Sequence, residues 1–291
     1  MTIFSSIVIY KNTPQQVHTV LKVLAGSSLD IQVLVIDNSP EPLRLDPGIL
    51  SRIQYIKTPH NIGFGAAHNL AMKKSLEQGA KYHLVLNPDV YFNRKVIQEL
   101  YNYMEANPDV GNVMPMVCYP DGRNQCLAKL MPRPGWLLVR LFHPLLPSSL
   151  VQKVNRAYEL HDLDLDRPVQ APSLSGCFMF LRCDALRRAG LFDERFFLYF
   201  EDFDLIRRIS LYYKIIYYPE LSISHDFERA SRKNWSALLT HVSSAVKYFN
   251  KWGLYEDEQR EMLNEQTISL ISNSKSEKNL KTPAAPKKAQ F

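Results

Sequence analysis

Residues 3–37, with the sequence IFSSIVIYKNTPQQVHTVLKVLAGSSLDIQVLVID, decide the fold predicted for this chain. Two β-branched apolar runs, at residues 3–10 and 31–36, have the length and composition of buried strands. Between them, the apolar residues of 14–24 recur at helical spacing. A helix that connects two such strands forms a βαβ unit, in which the strands run parallel.

The alternation of strands and helices continues along the first half of the chain. Strands are predicted at residues 53–57, 83–86 and 113–119, and helices at 66–78 and 94–107. This order predicts an α/β fold with a doubly wound, mostly parallel central sheet and right-handed crossovers. Ligands bind at the carboxyl ends of the strands in such sheets, so polar residues at those positions are the first candidates for a site.

The second half of the chain is less regular. Strands are predicted at residues 173–181 and 215–218, and helices at 203–211 and 235–252. Residues 131–151 are apolar and basic, but four prolines interrupt them, so this segment is too broken to span a bilayer. It can lie in a membrane interface or over a substrate site. A lid that packs on the core is an equal alternative.

Composition and charge narrow the class of protein. The chain has 291 residues, of which 46% are hydrophobic and 22% are charged, as is typical of a folded protein with a large core. Its formal net charge of +6 favours an anionic partner, which can be nucleotide phosphates, a lipid surface or nucleic acid. The four cysteines form no CxxC pair, and the start lacks a basic signal-peptide region, so we expect free thiols and a cytoplasmic location.

Acidic and amide side chains stand where two predicted strands end. Asp37 and Asn38 follow the strand predicted at residues 31–36, and Asn87 and Asp89 follow the strand predicted at residues 83–86. A carboxylate at such a position can accept hydrogen bonds from a base or a ribose, or it can bind a divalent cation that bridges two phosphates. Turn formation by the Asp–Asn and Pro–Asp pairs is the alternative explanation.

A loop with two glycines opens the helix predicted at 66–78. In HNIGFGAAHN, residues 60–69, Gly63 and Gly65 allow the backbone to approach a ligand closely, and the helix start offers free N–H groups to an anion. The spacing matches neither a P-loop nor a dinucleotide-binding fingerprint. A helix start with a tight entry is the alternative interpretation.

The strongest candidate for a site is GLFDERFFLYFEDFDL, residues 190–205. It places Glu201, Asp202 and Asp204 within four residues, directly after an aromatic run. Three acids in apolar surroundings cost free energy unless they bind or react with something. A favourable interaction with the start of a helix is the alternative, and Asp204 is the member that we assign to helix structure.

A histidine and two arginines follow the last predicted strand, in SHDFERASRK at residues 224–233. His225 can ligate a metal, and Arg229 and Arg232, three positions apart, can face the same diphosphate. A solvated basic helix start explains these residues equally well.

Together these motifs resemble the family 2 glycosyltransferases of GT-A fold. The resemblance covers about residues 1–250 and is closest to the bacterial rhamnosyltransferase-like branch that builds cell-surface polysaccharides such as O-antigen and capsule. Its most specific part is the stretch at 190–202. The motifs that carry it are Asp37-Asn38, Asn61-Ile62-Gly63-Phe64, Asn87-Pro88-Asp89, Ser175-Gly176, Phe192-Asp193-Glu194, Glu201-Asp202 and His225.

The resemblance implies a role for each matching position. Asp202 matches the catalytic base of an inverting transfer, with Glu201 beside it, and Asp89 and His225 match a site for Mn²⁺ or Mg²⁺. Asp89 stands at the last position of the family's DXD metal motif, but Asn87 replaces the first Asp, which weakens the expected metal site. The positions expected to bind the donor are Tyr10, Asp37 at the base, Asn38, Asn61, Gly63, Phe64, Asn69, Asn87, Arg229 and Arg232.

The resemblance also implies the domain organisation and the partners. We expect one GT-A domain over residues 1–263, with a nucleotide-sugar-binding half at 1–115 and an acceptor and catalytic half at 116–263, and a flexible basic tail at 264–291. The expected donor is dTDP-rhamnose, and the expected acceptor is a glycan linked to undecaprenyl diphosphate. We expect peripheral contact with the inner face of the membrane and no nucleic-acid partner.

Two other functions stay open at this point. A sugar-phosphate nucleotidyltransferase would share the α/β sheet and the metal, but it needs a glycine-rich basic loop directly after the first strand. Residues 10–14, YKNTP, do not supply one. The second alternative is a non-catalytic nucleotide-sugar-binding protein that is tethered by its basic tail.

Overall fold

The structure is a computed structural model that describes residues 2–163, 166–226 and 235–281, with side chains as far as residue 273. Its strands are β1 (Ile3–Ile9), β2 (Ile31–Asp37), β3 (Gln54–Lys57), β4 (Tyr82–Leu86), β5 (Val90–Tyr91), β6 (Val110–Cys118), β7 (Ala128–Lys129), β8 (Val169–Gln170), β9 (Ser173–Leu174), β10 (Phe178–Arg182) and β11 (Lys214–His225). Its helices are α1 (Pro14–Ala25), α2 (Pro47–Leu50), α3 (Phe64–Glu77), α4 (Lys95–Ala106), α5 (Pro134–Leu141), α6 (Ser148–Tyr158), α7 (Cys183–Ala189), α8 (Glu201–Ile209), α9 (Trp235–Trp252) and α10 (Glu258–Lys281).

Nine strands of the described residues form one sheet, in the order β3-β2-β1-β4-β10-β6-β11-β5, with β8 paired to β11. The neighbours β3, β2, β1 and β4 are parallel, and so are β6 and β11. β10 runs antiparallel between β4 and β6, and β5 runs antiparallel to β11. The predicted α/β architecture with a mostly parallel sheet is confirmed. The carboxyl ends of β1, β2 and β4 lie along one edge, where such sheets bind ligands.

The first βαβ unit forms for reasons that are present in its sequence. Thr13 caps α1 in a capping box with Gln16, and Pro14 stands in the first turn, where its missing N–H group is not needed. Each buried aliphatic side chain on the inner face of α1 stabilises the fold by roughly 1.5–3 kcal/mol. The residues of this face are Val17, Val20, Leu21 and Leu24.

Two elements of the second half differ from the prediction. The strand expected at 173–181 is divided into β9 and β10, because residues 175–177 leave the ladder and approach α8. There the main-chain N–H group of Gly176 donates to the carboxylate of Asp202. The helix expected from residue 203 begins at Glu201, so Glu201 and Asp202 belong to its first turn.

The proline-interrupted segment contains two helices. A 3-10 turn at His143–Leu145 connects α5 to α6, and the two helices pack on each other. Pro134 and Pro144 stand in first turns and Pro147 precedes α6, so none of them breaks a helix interior. Among the described residues, no helix combines the length and hydropathy that crossing a membrane requires.

Helix α10 extends past the domain boundary expected at residue 263. Asn264 and Thr267 on this helix are buried. The side chain of Asn264 accepts a hydrogen bond from the N–H group of Met131 at 2.7 Å and donates to its carbonyl oxygen at 3.1 Å. The flexible tail was therefore expected to start too early, because the first part of this helix packs on the domain. Residues 282–291 lie outside the described part of the chain.

Candidate active site

Asp37 at the end of β2 is held by the loop that follows it. Its carboxylate oxygens accept hydrogen bonds from the N–H groups of Ser39 and Leu43, both at 2.8 Å, and from the hydroxyl of Tyr55. Burial favours a higher pKa, but these hydrogen bonds outweigh it and lower the pKa of Asp37. Asp37 is fully buried, and its hydrogen bonds to Ser39 and Leu43 fix the shape of the loop beside the crevice.

Asn38 connects β2 to the glycine loop. Its amide donates to the Gly63 carbonyl oxygen at 3.0 Å, and its oxygen accepts from Thr58 at 2.9 Å. Asn61 accepts a hydrogen bond from the N–H group of Gly63 at 3.0 Å. Gly63 has a φ of +91°, and a Cβ atom there would lie 2.4 Å from the carbonyl oxygen of Phe197. Glycine is required because the chain before α8 approaches the start of α3 this closely.

Two further residues that were expected to bind the donor make contacts inside the protein. Phe64 packs edge-on against His68 and Phe192, with ring centroids 4.4 and 5.9 Å apart. The Asn69 amide donates to the Phe192 carbonyl oxygen and to Glu194, both at 2.9 Å, and its oxygen accepts from the Phe192 N–H group at 3.0 Å. The amide of Asn69 joins α3 to the aromatic run, and its expected contact with the donor stays a prediction.

Asp89 and His225 lie together because of strand pairing. β5 pairs antiparallel with β11, with Val90 opposite His225, and this register brings His225 Nε2 to 3.3 Å from Asp89 Oδ1. Gln125 donates to the His225 carbonyl oxygen at 2.7 Å, and its oxygen lies 3.3 Å from His225 Nδ1. Burial favours a lower pKa, but Asp89 and then Cys177 outweigh it and raise the pKa of His225 to about 10.

The Asp89–His225 pair fits two positions in the coordination of a divalent cation. Asp89 Oδ1 is buried and is in ion-pair contact with the imidazole without an aligned hydrogen bond. A carboxylate oxygen and an imidazole nitrogen are both suitable ligands for Mn²⁺. The described residues contain no group of three His, Cys, Asp or Glu side chains that could hold a metal. Phosphate oxygens and water are suitable ligands for further positions around a divalent cation.

Asp202 in the first turn of α8 is oriented by two main-chain N–H groups. Gly176 donates to its Oδ2 at 3.0 Å, and Phe203 donates to its Oδ1 at 2.8 Å. Burial raises the pKa of Asp202, and the two N–H groups and Lys129 oppose this effect without cancelling it. An oriented carboxylate with a raised pKa is suited to accept a proton.

Glu201 lies beside Asp202 in a different environment. Its side chain is buried, and its Oε2 has no hydrogen-bond partner in the part of the chain that the structure describes. Burial, and then the charge of Asp202, raise the pKa of Glu201 well above its ordinary value. The pKa of Glu201 is therefore raised further than that of Asp202, so a proton shared by the pair favours Glu201.

Two consecutive residues before α8 have a left-handed backbone. Tyr199 has a φ of +70° and Phe200 a φ of +68°, which costs on the order of 1–3 kcal/mol for each bulky residue. The turn is stabilised by the burial of Phe200 against Tyr248 of α9, and by a 2.8 Å hydrogen bond from Ser244 to the Leu198 carbonyl oxygen. Aromatic residues carry no signal for this conformation, so the turn was not predicted.

Asp204, the third acid of the cluster, is neutralised inside the protein. Its oxygens contact the indole N–H group of Trp252 at 2.8 Å, Lys251 at 2.6 Å and Arg208 at 2.9 Å. Asp204 is fully buried, and these contacts anchor α9 to α8. Its role is structural, as its position inside the helix suggested.

Residues 176 and 177 connect the two parts of the site. The Gly176 N–H group donates to Asp202, and the adjacent Cys177 carbonyl oxygen accepts from the N–H group of Asn87 at 2.9 Å. Asn87 lies two residues before Asp89. The same short segment therefore borders both the Asp202 carboxylate and the Asp89–His225 pair.

Three residues of the expected site remain, and the structure adds one residue that was not expected. Tyr10, just after β1, is 45% exposed at the carboxyl edge of the sheet. Arg229 and Arg232 lie outside the described residues, and their role stays a prediction. Gln125 was not predicted, because a glutamine in a loop carries no signal until the fold brings it against His225.

Comparison with known families gives the class of this protein. A family model described as glycosyl transferase family 2 matches residues 5–190, which is more than half of the chain. The chain belongs to glycosyltransferase family 2. The match includes Asp37, the loop at 60–69 and Asp89, and it ends before α8, so Asp202 and His225 of this glycosyltransferase lie beyond it.

Curated relatives of this glycosyltransferase include the N-acetylglucosaminyl-diphospho-decaprenol L-rhamnosyltransferases of two Mycobacterium tuberculosis strains, CDC 1551 and H37Rv. Each is 29% identical over 184 residues, which cover 60% of this chain and 58% of the relative. The chain thus spans less than two thirds of the length of these relatives. Their names agree with the rhamnosyltransferase-like branch that the motifs suggested.

Solved glycosyltransferase structures share the fold. TarS of S. aureus, residues 1–349, is 15% identical with a TM-score of 0.55, covering 96% of this chain and 74% of TarS. GalNAc-T7 with UDP, GalNAc and Mn²⁺ is 13% identical with a TM-score of 0.54, covering 87% and 48%. The mannosyltransferase PcManGT of Pyrobaculum calidifontis, with GDP-Man and Mn²⁺, is 14% identical with a TM-score of 0.51, covering 97% and 76%. These likenesses confirm the GT-A fold.

Proposed function

We propose that this family 2 glycosyltransferase is an inverting enzyme that moves a sugar from a nucleoside-diphosphate donor to a hydroxyl group of a glycan. The environment of Asp202 carries the proposal. Two N–H groups orient its carboxylate, and burial raises its pKa. An inverting transfer needs one base of this kind. Glycoside hydrolysis needs a pair of carboxyl groups that flank the bond, whereas the second carboxyl group here, Glu201, is buried next to the first.

In this proposal, the oxygen of the acceptor hydroxyl attacks the anomeric carbon, and Asp202 accepts the proton of that hydroxyl. The bond from that carbon to the diphosphate breaks on the opposite face of the sugar, which inverts the configuration. Gly176 and Phe203 keep the carboxylate aimed during the attack. Asp89 and His225 would hold Mn²⁺ or Mg²⁺, which when bound supplies positive charge to the leaving diphosphate.

We infer that the donor nucleotide binds along the carboxyl ends of β1, β2 and β4. Tyr10 offers an exposed ring there, and the N-terminal end of α3 favours an anionic group. Asp37 contributes by fixing the loop at 39–43, and Arg229 and Arg232 are proposed to hold the diphosphate.

We propose dTDP-rhamnose as the donor and a glycan on undecaprenyl diphosphate as the acceptor, in the synthesis of a surface polysaccharide such as O-antigen or capsule. The support comes from the curated relatives, which are named for L-rhamnosyl transfer to N-acetylglucosaminyl-diphospho-decaprenol. A lipid-linked acceptor would place the enzyme at the cytoplasmic face of the membrane. The net charge of +6 suits both the donor and such a surface.

The test is a donor and acceptor matrix. The enzyme is incubated with Mn²⁺ and with dTDP-rhamnose, UDP-GlcNAc or GDP-mannose, with and without a lipid-diphosphate-linked GlcNAc, and free nucleoside diphosphate is measured. We expect release from dTDP-rhamnose only when the acceptor is present, and its loss in Asp202→Asn with donor binding retained. Donor binding without release would indicate a binding protein. Formation of nucleotide-sugar from nucleoside triphosphate and sugar phosphate would indicate a nucleotidyltransferase.

A further inference from the structure

Two elements beside the candidate active site expose apolar side chains to solvent. On α5 and the 3-10 turn that follows it, four large apolar residues are between 38% and 81% exposed; on α9, four more are between 39% and 80% exposed. Clusters of this kind on a protein surface mark interaction sites more often than isolated exposed residues do. We call them the apolar face: Leu138, Leu141, Phe142, Leu145, Trp235, Leu239, Val242 and Val246.

The spacing on α9 shows that the apolar face is separate from the core. Positions 235, 239, 242 and 246 follow the spacing of one helical stripe. The inward residues of the same helix, Tyr248 and Phe249, are buried in an aromatic cluster with Phe200. Helix α9 therefore carries two apolar stripes, and burial in the core explains one of them.

The helices that carry the two parts of the face meet at one aromatic cluster next to the turn before α8. Leu137 of α5 packs against the cluster that contains Phe200 and Tyr248, so α5 and α9 both pack on this cluster. Tyr199, in the turn that delivers the acids of α8, contacts the ring of His241 on α9 at 5.1 Å between centroids. A surface that covers the apolar face would thus lie close to the Asp202 end of the crevice.

The chain segments that carry the apolar face are basic. The described segments 122–158 and 235–255, which carry the face, contain no Asp or Glu, although the chain has 29 of them, and they contain six and two Lys or Arg residues, respectively. Acids from elsewhere in the chain pair with some of these, as Glu159 does with Arg140. Lys153 on α6 and Lys247 on α9 are exposed. An exposed apolar stripe with lysines and without acids suits an anionic lipid surface.

We propose that the apolar face docks on the surface of an anionic bilayer. Its aliphatic side chains and Trp235 enter the boundary between headgroups and acyl chains, while Lys153 and Lys247 stay at the level of the headgroup phosphates. A second copy of the chain is a poorer occupant, because a two-fold interface would place the exposed lysines of this surface against themselves. Docking requires neither donor nor acceptor, so it stands apart from the proposed reaction.

The test is flotation of the full chain, without donor or acceptor, with vesicles of phosphatidylcholine that contain about 30 mol% phosphatidylglycerol. We expect binding that weakens when salt is raised from about 0.1 to about 0.5 M, because screening shortens the reach of the lysine charges. The double variant Leu145→Ser/Leu239→Ser should bind at least about tenfold more weakly than the wild type. Both side chains are highly exposed, so this variant should keep its melting temperature.

Matched controls separate the apolar face from general hydrophobicity and charge. Leu50→Ser/Leu211→Ser removes two exposed leucines elsewhere and should float like the wild type. Lys153→Glu should weaken binding, and Lys95→Glu on α4 should not. Equal flotation of both leucine double variants would overturn the proposal. So would a lack of flotation of the wild type, or a dimer in light scattering that Leu145→Ser/Leu239→Ser dissociates, since the face would then belong to a second copy.

Discussion

Gly176 donates its main-chain N–H group to Asp202 Oδ2 at 3.0 Å, and this bond joins the sheet to the first turn of α8. The donor group is available because residues 175–177 leave the ladder between β9 and β10. A Cβ atom on Gly176 would lie 3.4 Å from Asp202 Cβ, in van der Waals contact with the side chain that carries the carboxylate. The position of the proposed base therefore depends on a break in a strand.

Replacement of the two carboxyl groups should have unequal effects. Asp202→Asn should lower kcat by roughly 10²–10⁴-fold, because the proposed base is lost while its shape is kept. Glu201→Gln should keep kcat within about threefold, since the raised pKa of Glu201 favours its protonated form, which glutamine resembles. Initial rates with the donor and the acceptor measure both. Equal losses would show that Glu201 takes part in the proton transfer.

The rate should depend on pH through Asp202. Burial raises the pKa of this carboxyl group above its ordinary 3.8, and only the ionised form accepts a proton, so activity should fall as pH falls through this raised pKa. A profile of kcat/KM against pH measures the acid limb. Glu201→Gln should leave the limb in place, because Glu201 is neutral in that range. A limb that moves by a full pH unit in this variant would contradict the assignment.

Gln125 should control metal affinity without contacting the metal. It holds His225 through the carbonyl oxygen and Nδ1. Gln125→Leu should therefore weaken Mn²⁺ binding roughly 10–100-fold, as is usual when a group that orients a metal ligand is lost. Titration of Mn²⁺ in the presence of nucleoside diphosphate, followed by thermal shift, measures this. Gln15→Leu, on the exposed side of α1, is the control and should bind Mn²⁺ like the wild type.

Gly63 should be irreplaceable by alanine for two reasons that can be separated. Gly63→Ala adds a Cβ atom 2.4 Å from the Phe197 carbonyl oxygen and forces alanine into a φ of +91°. Gly79 also has a positive φ, +68°, but open space around it. Chemical denaturation should give a loss of about 1–2 kcal/mol for Gly79→Ala and about 2–5 kcal/mol for Gly63→Ala. Similar losses would mean that the contact with Phe197 is not tight.

The packing of α10 can be tested at Asn264. Asn264→Ala leaves the buried N–H and carbonyl groups of Met131 without their partner, which should cost about 2–4 kcal/mol of stability. Asn273→Ala on the exposed side of the same helix should change the stability by less than about 0.5 kcal/mol. Thermal unfolding compares the two variants. Equal stability would restore the flexible tail that was expected from residue 264.

Local patterns predicted the sheet because the apolar runs, the turn residues and the helix caps all indicate the same elements. The apolar runs that became β1, β2 and β4 are continuous and bounded by turn residues, and the capping box at Thr13 marks the start of α1. The α5–α6 segment was less clear, because its prolines fall at helix starts, where they are tolerated, rather than between elements. Only the folded chain shows whether a proline stands at the start of a helix or in a connection between two elements.

The sequence by itself determined the α/β class, the family motifs and the acid cluster, because each depends on neighbours along the chain. The tertiary structure decided which member of the cluster is suited to accept a proton. Burial and contacts from distant segments separate Asp202, Glu201 and Asp204 into a carboxylate oriented by two N–H groups, a buried acid with a raised pKa and a structural anchor. It also decided that Asn69 is an internal clamp and that Gln125 orients His225. Environments of this kind arise from packing between segments that lie far apart in the chain, and the local sequence does not encode them.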